Sequence, residues 1–283
     1  MKPLVSIGMP VFNESRFIKT SLHSVINQDY KNLEIIISDN SSTDATYSIC
    51  EELLGERPNV RMHRHTKNNG AAENFNFVAS SSGGEYFMWA SGHDIWSPNY
   101  ISSCVELMEK FPDVVLAFGT PLWIDEHGEY LRKSSGYSDT RGMHPMTRYM
   151  ITLWSSMNPI LGVIRKSALD QILPFRAAIG SDLIALSQLA IEGEFAHVTD
   201  ASWCRREFRY ERSHAQKIRR YQSSEYQLAK RSTFSRIFPL ARLPFSLSRL
   251  IISTSSLTWI EKVSLVAALT TILPARYLDG KRQ

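Results

Sequence analysis

Short apolar runs and amphipathic stretches alternate along the first 120 residues of the chain. The apolar runs at residues 4–10, 33–38 and 86–90 have the length and composition of buried strands. The stretch after the first run places apolar side chains at helical spacing, as in Phe17, Ile18, Leu22, Val25 and Ile26. Strands that alternate with helices indicate βαβ units. The pattern predicts an α/β fold with a Rossmann-like, mostly parallel sheet flanked by helices.

Each predicted strand in this region ends in a polar loop, and Asp94 lies in the last of them. The loops cover residues 10–14, 39–44, 68–74 and 91–94, and the ends of parallel strands meet at one edge of a sheet. We therefore expect them to line one crevice. Asp94 is a candidate for chemistry there, although an Asp before a Ser-Pro pair also serves as a turn residue. GxGxxG and GxxxxGK[ST] motifs are absent, so a dinucleotide site and a P-loop are disfavoured.

The pattern is less regular in the middle of the chain. Apolar runs at residues 114–119 and 160–165 predict further strands, and residues 123–128 predict a hairpin. Residues 134–145 lack apolar periodicity and predict an irregular loop, of the kind that forms lids and binding loops. A clear amphipathic helix begins at Asp182.

Composition supports an ordinary globular protein. Of 283 residues, 43% are hydrophobic and 21% are charged, which disfavours disordered and fibrous classes. The three cysteines are far apart and show no zinc-binding spacing, so we expect them to be reduced. The N-terminal apolar run is broken by Pro10 and Asn13 and is too short for a signal peptide. We expect a cytoplasmic chain.

Charge is distributed unevenly along the sequence. Residues 212–283 contain 13 Lys and Arg against three acidic residues, a net charge of +10, so the first 211 residues carry −6 of the total of +4. A basic region of this kind indicates an anionic partner. Its uncharged stretches are too short to span a bilayer, so we expect a helical, basic C-terminal extension that lies on the inner face of the cell membrane. Packing on the chain's own domain is the alternative.

Nucleic acid is a weaker candidate for the anionic partner. The basic residues of this region are interleaved with aliphatic residues, and no recognisable nucleic-acid-binding module is present. We therefore expect no nucleic-acid partner.

The first 120 residues contain, in this order, VSIGMPVFNES, EIIISDNSSTDAT and NNGAAENFNFVASSSGGEYFMWASGHDIWSP. The three motifs together resemble the inverting glycosyltransferases of family 2, which have the A-type glycosyltransferase fold. The resemblance continues more loosely to about residue 215. It implies a nucleotide-sugar-binding half at residues 1–118 and an acceptor-binding, catalytic-base half of the same domain at residues 119–215. Residues 216–283 are then the basic amphipathic helical C-terminal region.

The family resemblance implies an activity as well as a fold. The expected reaction moves a sugar from a nucleoside diphosphate sugar to a hydroxyl of a saccharide or lipid-linked acceptor, in cell-surface polysaccharide biosynthesis. A non-catalytic or metal-independent nucleotide-sugar-binding relative is the alternative, because carboxylates found in relatives are missing at Ser91 and His93.

The resemblance also implies roles for residues near the nucleotide. Asp39 is the implied acceptor of a hydrogen bond from the base, which suits an N–H of uracil or thymine and hence a UDP or dTDP donor. The pair Asn69-Gly70 can also simply form a turn. The residues implied to contact the nucleotide are Pro10, Phe12, Asn13, Glu14, Asp39, Asn69, Gly70 and Asn74.

Residues 91–94 align with the family's DXD-type element, and Asp94 is the carboxylate that remains there. The implied cofactor is a divalent cation, Mn²⁺ or Mg²⁺, bound by Asp94 together with the diphosphate. His93 is a candidate second ligand that would favour Mn²⁺. It could equally contact phosphate directly or pack in the turn.

The implied general base is Asp182, at the start of the amphipathic helix. An inverting displacement needs a base to take the proton of the acceptor hydroxyl. Ser-Asp before a helix is also an N-cap pattern. Arg205 and Arg206 match the family's basic stretch that stabilises the leaving diphosphate. Arg212 with His214 is the alternative alignment, and a solvated basic surface is the non-functional interpretation.

Overall fold

The computed structural model describes residues 2–55, 57–133, 136, 139–156, 158–175, 180–208 and 242–278. Arg212, His214 and the part of the predicted C-terminal region before residue 242 lie outside these ranges.

Strands and helices alternate through the described residues. The strands are β1 (Val5–Val11), β2 (Leu33–Asp39), β3 (Val60–Arg64), β4 (Tyr86–Trp89), β5 (Ile95–Trp96), β6 (Val114–Ile124), β7 (Val163–Arg165) and β8 (Glu194–Arg206). The helices are α1 (Ile18–Ile26), α2 (Thr46–Leu54), α3 (Ala71–Ser80), α4 (Tyr100–Lys110), α5 (Pro145–Trp154), α6 (Lys166–Ile172), α7 (Ser181–Glu192), α8 (Arg242–Ser253) and α9 (Trp259–Leu278).

The strands form one sheet in the order β3-β2-β1-β4-β7-β6-β8-β5. The pairs β3–β2, β2–β1, β1–β4 and β6–β8 are parallel, whereas β7 and β5 pair antiparallel with their neighbours. This sheet with flanking helices confirms the predicted α/β fold. Because β1, β2 and β4 are parallel neighbours, the loops after them leave the same edge of the sheet.

The centre of the sheet is buried on both faces, as its continuous apolar sequence requires. Apolar residues of β1 and β2 fill a core cluster on one side of the sheet, and Ile36 of β2 points into a second cluster on the other side. Gly8 lies at a close approach of β1 to its neighbours, because a Cβ there would lie 2.6 Å from the Phe87 ring and 2.8 Å from Val78. Packing of α3 and β4 against β1 therefore depends on a residue without a side chain at this position.

The second half of the chain differs in part from the expected elements. The hairpin at residues 123–128 is confirmed, since the Leu131 amide donates to the Trp123 carbonyl (2.8 Å) and Gly128 has a φ of +92°. The strand expected at residues 160–165 is wrong at its start, where a short 3-10 helix (Asn158–Leu161) stands instead.

The described C-terminal helices pack on the rest of the protein. Leucine and isoleucine side chains on one side of α8 and α9 form a third buried cluster with residues of α5 and α7. Packing on the chain's own domain, the alternative to a purely interfacial segment, is thus present for these helices. Among the described residues, no helix is both long enough and apolar enough to cross a bilayer.

Candidate functional site

The loops after β1 and β2 are joined by hydrogen bonds. The Asn13 amide donates to Ser42 Oγ (3.0 Å), and Asn13 Oδ1 accepts from the Thr43 amide (2.9 Å). Asn13 has a left-handed φ of 53°, which asparagine tolerates better than most residues. The predicted nucleotide loop at residues 10–14 is therefore fixed against the loop at residues 39–44.

The four predicted contacts of the first loop differ in exposure. Pro10 is a buried residue of β1, Phe12 is half-buried and Asn13 is exposed. Glu14 Oε1 lies 3.0 Å from Nδ1 of His93. Phe12 and Asn13 therefore present side-chain surface at this end of the sheet, whereas Pro10 and Glu14 support the loop.

Asn40 joins the loop after β2 to the predicted Asn-Gly turn. Its Nδ2 donates to Asn68 Oδ1 (2.9 Å) and to the Gly70 carbonyl (3.2 Å), while its Oδ1 accepts from the Asn69 amide (3.0 Å). Gly70 has a φ of +88°, a conformation that glycine adopts without strain. Asn69 and Gly70 thus form a turn that is fixed at the sheet edge where the nucleotide site is predicted.

Asn74 has a supporting position in the structure. It is buried on α3, and its Nδ2 donates to the carbonyls of Ser38 (3.0 Å) and Val11 (3.4 Å). These bonds hold the ends of β1 and β2 together. Asn74 therefore shapes the predicted nucleotide site from behind.

Asp39, predicted to read the base, is fully buried at the end of β2. Its carboxylate accepts from the Ser42 amide (3.1 Å), and Oδ2 lies 3.2 Å from Nε of Arg64, its register partner on β3. Arg64 is partly exposed, donates to the Ser42 carbonyl (3.1 Å) and lies over the Tyr47 ring. Arg64 is therefore the charged group that Asp39 holds at the surface of this loop cluster.

Asp94 is also enclosed by protein and is only 2% exposed. Its Oδ2 accepts from Nε1 of Trp203 (3.1 Å), and its Oδ1 accepts from the Arg206 amide (2.9 Å). Both donors belong to β8. The carboxylate thus joins the loop after β4 to the last residues of β8.

The predicted metal centre at Asp94 and His93 does not fit this arrangement. A hard divalent cation needs several oxygen ligands that are free to approach it. Both Asp94 oxygens accept bonds from β8, and His93 Nδ1 is paired with Glu14. Across the described ranges, no three His, Cys, Asp or Glu side chains are grouped so that they could hold a metal ion.

Arg206 supports the same loop from β8. It is buried, with Nε donating to the His93 carbonyl and Nη1 to the Asp125 carbonyl, both at 2.9 Å. Its guanidinium also lies over the Phe17 ring. These contacts support residues 91–94. They occupy Nε and Nη1 of the guanidinium, so few of its N–H groups remain for the predicted contact with a diphosphate.

Arg205 points away from Arg206, because successive side chains of a strand face opposite sides of the sheet. Its Nη1 donates to Asn158 Oδ1 (2.5 Å), and its guanidinium lies 4.7 Å from the centre of the Trp123 ring. Lys133 Nζ lies over the same ring at 3.9 Å. Arg205 therefore belongs to a polar and aromatic cluster on the acceptor side of the predicted site.

Asp182 is the second residue of α7, and the positive charge of Arg205 acts on it. The residue keeps exposed surface, and the protein around it desolvates its carboxyl. This surrounding protein raises the pKa of Asp182, and the positive charge of Arg205 opposes the rise. The geometry thus supplies a solvent-accessible carboxyl that binds a proton more readily than an ordinary aspartate.

Three residues at the site were not singled out from the sequence as site residues. Arg64 is the last residue of β3, and its position at a strand end was a usable signal. Trp123 and Asn158 carry no motif, because they meet Arg205 only through the pairing of β6 with β8 and the turn before β7. Asn158 Nδ2 is buried and has no hydrogen-bond partner within the part of the chain that the structure describes.

The eight-stranded mixed sheet with flanking helices, and with polar loops at one edge after β1, β2 and β4, is the arrangement of the A-type glycosyltransferase fold. The comparison with protein families agrees with this class. Residues 6–173 match the model of glycosyl transferase family 2. The chain belongs to this family.

Three curated relatives match less than half of this chain. An uncharacterized glycosyltransferase of Rickettsia felis is 33% identical over 139 residues, 46% of this chain and 21% of that protein. The glycosyltransferase GlyG of Streptococcus pneumoniae is 31% identical over 117 residues, 41% and 39% of the two chains. Chondroitin synthase of Escherichia coli is 31% identical over 136 residues, 48% and 19% of the two chains. The alignments thus span less than half of each relative.

Solved structures share the fold over nearly the whole chain. S. aureus TarS residues 1–349, in complex with UDP-GlcNAc, superposes with a TM-score of 0.71 at 14% identity and covers 96% of this chain and 73% of that one. The mannosyltransferase PcManGT of Pyrobaculum calidifontis, in complex with GDP-Man and Mn²⁺, gives a TM-score of 0.57 at 16% identity, with 96% and 81% covered. At these identities the likeness concerns the fold alone.

Proposed function

We propose that this chain is an inverting glycosyltransferase that moves a sugar from a nucleoside diphosphate sugar to an acceptor hydroxyl. One observation carries the proposal. The last two residues of β8 reach both halves of the predicted site: Arg206 holds the loop at residues 91–94, and Arg205 places its charge near Asp182. A donor bound at the strand ends would therefore lie beside an accessible carboxyl.

In the proposed reaction the acceptor hydroxyl loses its proton to Asp182. The hydroxyl oxygen forms a bond to the anomeric carbon while the bond from that carbon to the phosphate oxygen breaks. The nucleoside diphosphate leaves from the opposite face of the sugar, which inverts the configuration. The raised pKa of Asp182 suits this role, since a stronger base accepts a proton more readily.

The donor is proposed to be of the UDP or dTDP type, held by the half at residues 1–118, with the acceptor held by the half at residues 119–215. The exposed edge near the base site combines the buried Asp39 carboxylate with Arg64, an acceptor and a donor that lie side by side. Uracil and thymine present an N–H beside a carbonyl and match such a pair. The structural neighbour TarS is described with UDP-GlcNAc, which supports the same donor type.

The acceptor is proposed to be a saccharide or a lipid-linked saccharide in the assembly of a cell-surface polysaccharide. A relative named chondroitin synthase supports a polysaccharide product. The net charge of +10 on residues 212–283 supports a position on the inner face of the cell membrane, where anionic lipids attract basic segments.

Among the described residues no three His, Cys, Asp or Glu side chains are grouped to hold a metal ion, and the reaction above is written for the chain's own side chains. The neighbour PcManGT is described with Mn²⁺, which makes metal dependence a direct test. The measurement compares donor binding and transfer in EDTA with the same assays in Mn²⁺.

The experiment that tests the function is a thermal-shift screen of UDP, dTDP and GDP sugars, followed by a nucleoside diphosphate release assay with the donor that binds. A ligand of the folded state raises the unfolding temperature. We expect a UDP or dTDP sugar to bind and to be consumed. Binding with no release, in wild type and Asp182→Asn alike, would instead establish a non-catalytic nucleotide-sugar-binding protein.

A further inference from the structure

The outer side of α8 and α9 carries large apolar side chains that face solvent. Their exposure is between 51 and 77%. They are Phe245, Ile252, Trp259, Ile260 and Val263. We call this set the C-terminal apolar face. Contiguous exposed apolar surface of this kind marks an interaction site more often than an accident of composition.

The C-terminal apolar face is separate from the core of the protein. On α8 the residues Leu243, Leu247 and Ile251 fill the contact with α5 and α7, and Phe245 and Ile252 lie on the other side. The same division occurs on α9. Both helices are therefore apolar on two sides, one of which has no partner among the described residues.

The two helices present this face as one surface. Lys262 Nζ donates to the Ile252 carbonyl (3.0 Å), which brings the end of α8 against the first turn of α9. That turn is fixed by reciprocal bonds between Thr258 and Glu261, a capping box that sets the direction of Trp259. The end of α8, with Ile252, and the start of α9, with Trp259, are thus held together by hydrogen bonds.

Basic groups accompany the apolar side chains. Arg242 and Arg249 are exposed on α8, whereas the acidic Glu261 is occupied by Thr258 and lies 3.4 Å from His144. By sequence, the chain from residue 212 onward has a net charge of +10. An exposed tryptophan with aliphatic neighbours and basic residues fits the interface of a bilayer with anionic headgroups. A protein partner of ordinary composition would not require this charge.

The C-terminal apolar face also lies close to the candidate base. A Cβ placed on Gly180 would meet the Leu243 side chain at 3.1 Å, so the first turn of α8 packs against the residue that precedes α7. Asp182 is two residues further along. Phe245, at one end of the apolar face, is in the same turn of α8 as Leu243 but on the opposite side of the helix. A surface bound by this face would therefore lie one helix diameter, roughly 10 Å, from the start of α7.

We propose that the C-terminal apolar face docks on an anionic bilayer and that the acceptor is a lipid-linked saccharide presented at that surface. The proposal of docking, called the docking clause below, rests on the exposed side chains and the charge. The proposal of a lipid-linked acceptor, called the acceptor clause, rests on the proposed function as well, because it uses Asp182 as the base.

Vesicle flotation of the full chain tests the docking clause. The probes are vesicles of phosphatidylcholine alone and of phosphatidylcholine with phosphatidylglycerol. The variants are Trp259→Ser with Ile260→Ser, and Trp154→Ser as a matched control, an exposed tryptophan at the far end of α5 from His144. We expect wild type and the control to float with anionic vesicles and the double variant to bind at least about tenfold more weakly, a change of about 1.4 kcal/mol.

Other outcomes overturn the docking clause. Equal flotation of the double variant and wild type would do so, and so would an equal loss in the Trp154→Ser control. Binding to neutral vesicles as strong as to anionic ones would contradict the role of charge. A dimer in light scattering that disappears in the double variant would show instead that a second copy of the chain covers the face. Unchanged unfolding temperatures confirm that the variants are folded.

The acceptor clause needs a second readout. Transfer is compared between a lipid-linked acceptor in anionic vesicles and a soluble saccharide acceptor. We expect the double variant to lose rate with the lipid-linked acceptor and to keep it with the soluble one, and an equal rate with both would contradict the clause. Flotation uses no donor, so a failure of the proposed function, seen as no binding of any nucleotide sugar, is distinguishable from a failure of docking.

Discussion

The carboxylates of the two halves of the site differ in what surrounds them. Asp39 and Asp94, at the ends of β2 and β4, are buried and accept hydrogen bonds from Ser42, Trp203 and Arg206. Asp182, at the start of α7, is exposed, and a charge at a distance acts on it.

The difference separates residues that position loops from a residue that can react. A buried carboxylate whose two oxygens both accept hydrogen bonds, as in Asp94, stabilises the arrangement around it and has little capacity left for a metal ion. A carboxyl that is reachable and partly desolvated is poised to exchange a proton. The donor half therefore supplies shape, and the acceptor half supplies the base.

The largest effect expected from this comparison is on catalysis at Asp182. Asp182→Asn removes the base and should lower the transfer rate about 10²- to 10⁴-fold, the usual contribution of general base catalysis. Donor binding, measured by thermal shift, should remain, because the donor half is untouched. A variant that transfers at a near wild-type rate would show that the base is elsewhere.

The next effect is on stability at Asp94. Asp94→Asn places an amide N–H₂ against Trp203 Nε1 or the Arg206 amide, so a buried donor loses its acceptor. We expect a loss of about 1–3 kcal/mol in the free energy of unfolding, which lowers the melting temperature by roughly 2–4 °C for each kcal/mol. Calorimetry measures it.

Asp29→Asn, at an exposed position, serves as the control and should unfold like wild type. If Asp94 were instead a metal ligand, Asp94→Asn would leave the melting temperature of the free protein unchanged. It would then abolish only a stabilisation by donor that depends on Mn²⁺.

The sequence predicted the sheet edge better than the partners of its side chains. Strand runs and helix periodicity are local signals, and they located β1, β2, β4, α7 and the polar loops at the sheet edge. The partners of Asp94 lie 109 and 112 residues away along the chain, on a strand whose end was not predicted. The two hydrogen bonds that Asp94 accepts form only when distant parts of the chain meet, so no local pattern in the sequence predicts them.

Two further differences between the predicted and the observed structure have definite physical causes. Pro145 was placed at the end of an irregular loop, whereas in the structure it begins α5, a position in which proline is favoured because its missing N–H needs no acceptor. Arg205 and Arg206 were grouped as one basic stretch. Because β8 continues through both, they face opposite sides of the sheet and perform different tasks.

A smaller effect is expected from the pairing of Arg205 with Asp182. Asp182 is active as a base only when it is deprotonated, so activity is lost as pH falls through its pKa. The Arg205 charge favours the ionised carboxylate, and its removal in Arg205→Gln should raise that pKa further. The acid limb of the kcat/KM profile should then move to higher pH.

Arg205→Lys keeps the charge and serves as the control, with its acid limb expected near that of wild type. The KM for the donor distinguishes an effect of Arg205 on the pKa of Asp182 from the contact with the diphosphate that the family resemblance implied. A large rise in the donor KM of Arg205→Gln, with an unmoved acid limb, would assign Arg205 to the diphosphate instead.

The smallest effect is expected from metal removal. The oxygens of Asp94 accept hydrogen bonds and His93 is paired with Glu14, so the residues that the structure describes offer a divalent cation no group of three side-chain ligands. We therefore expect the rise in melting temperature caused by the donor to be the same in EDTA as in Mn²⁺. A rise that appears only with Mn²⁺ would mean that the donor rearranges the loop at residues 91–94 and frees Asp94. In that case the donor half would contribute chemistry as well as shape, and the contrast with Asp182 would hold only for the protein without its ligand.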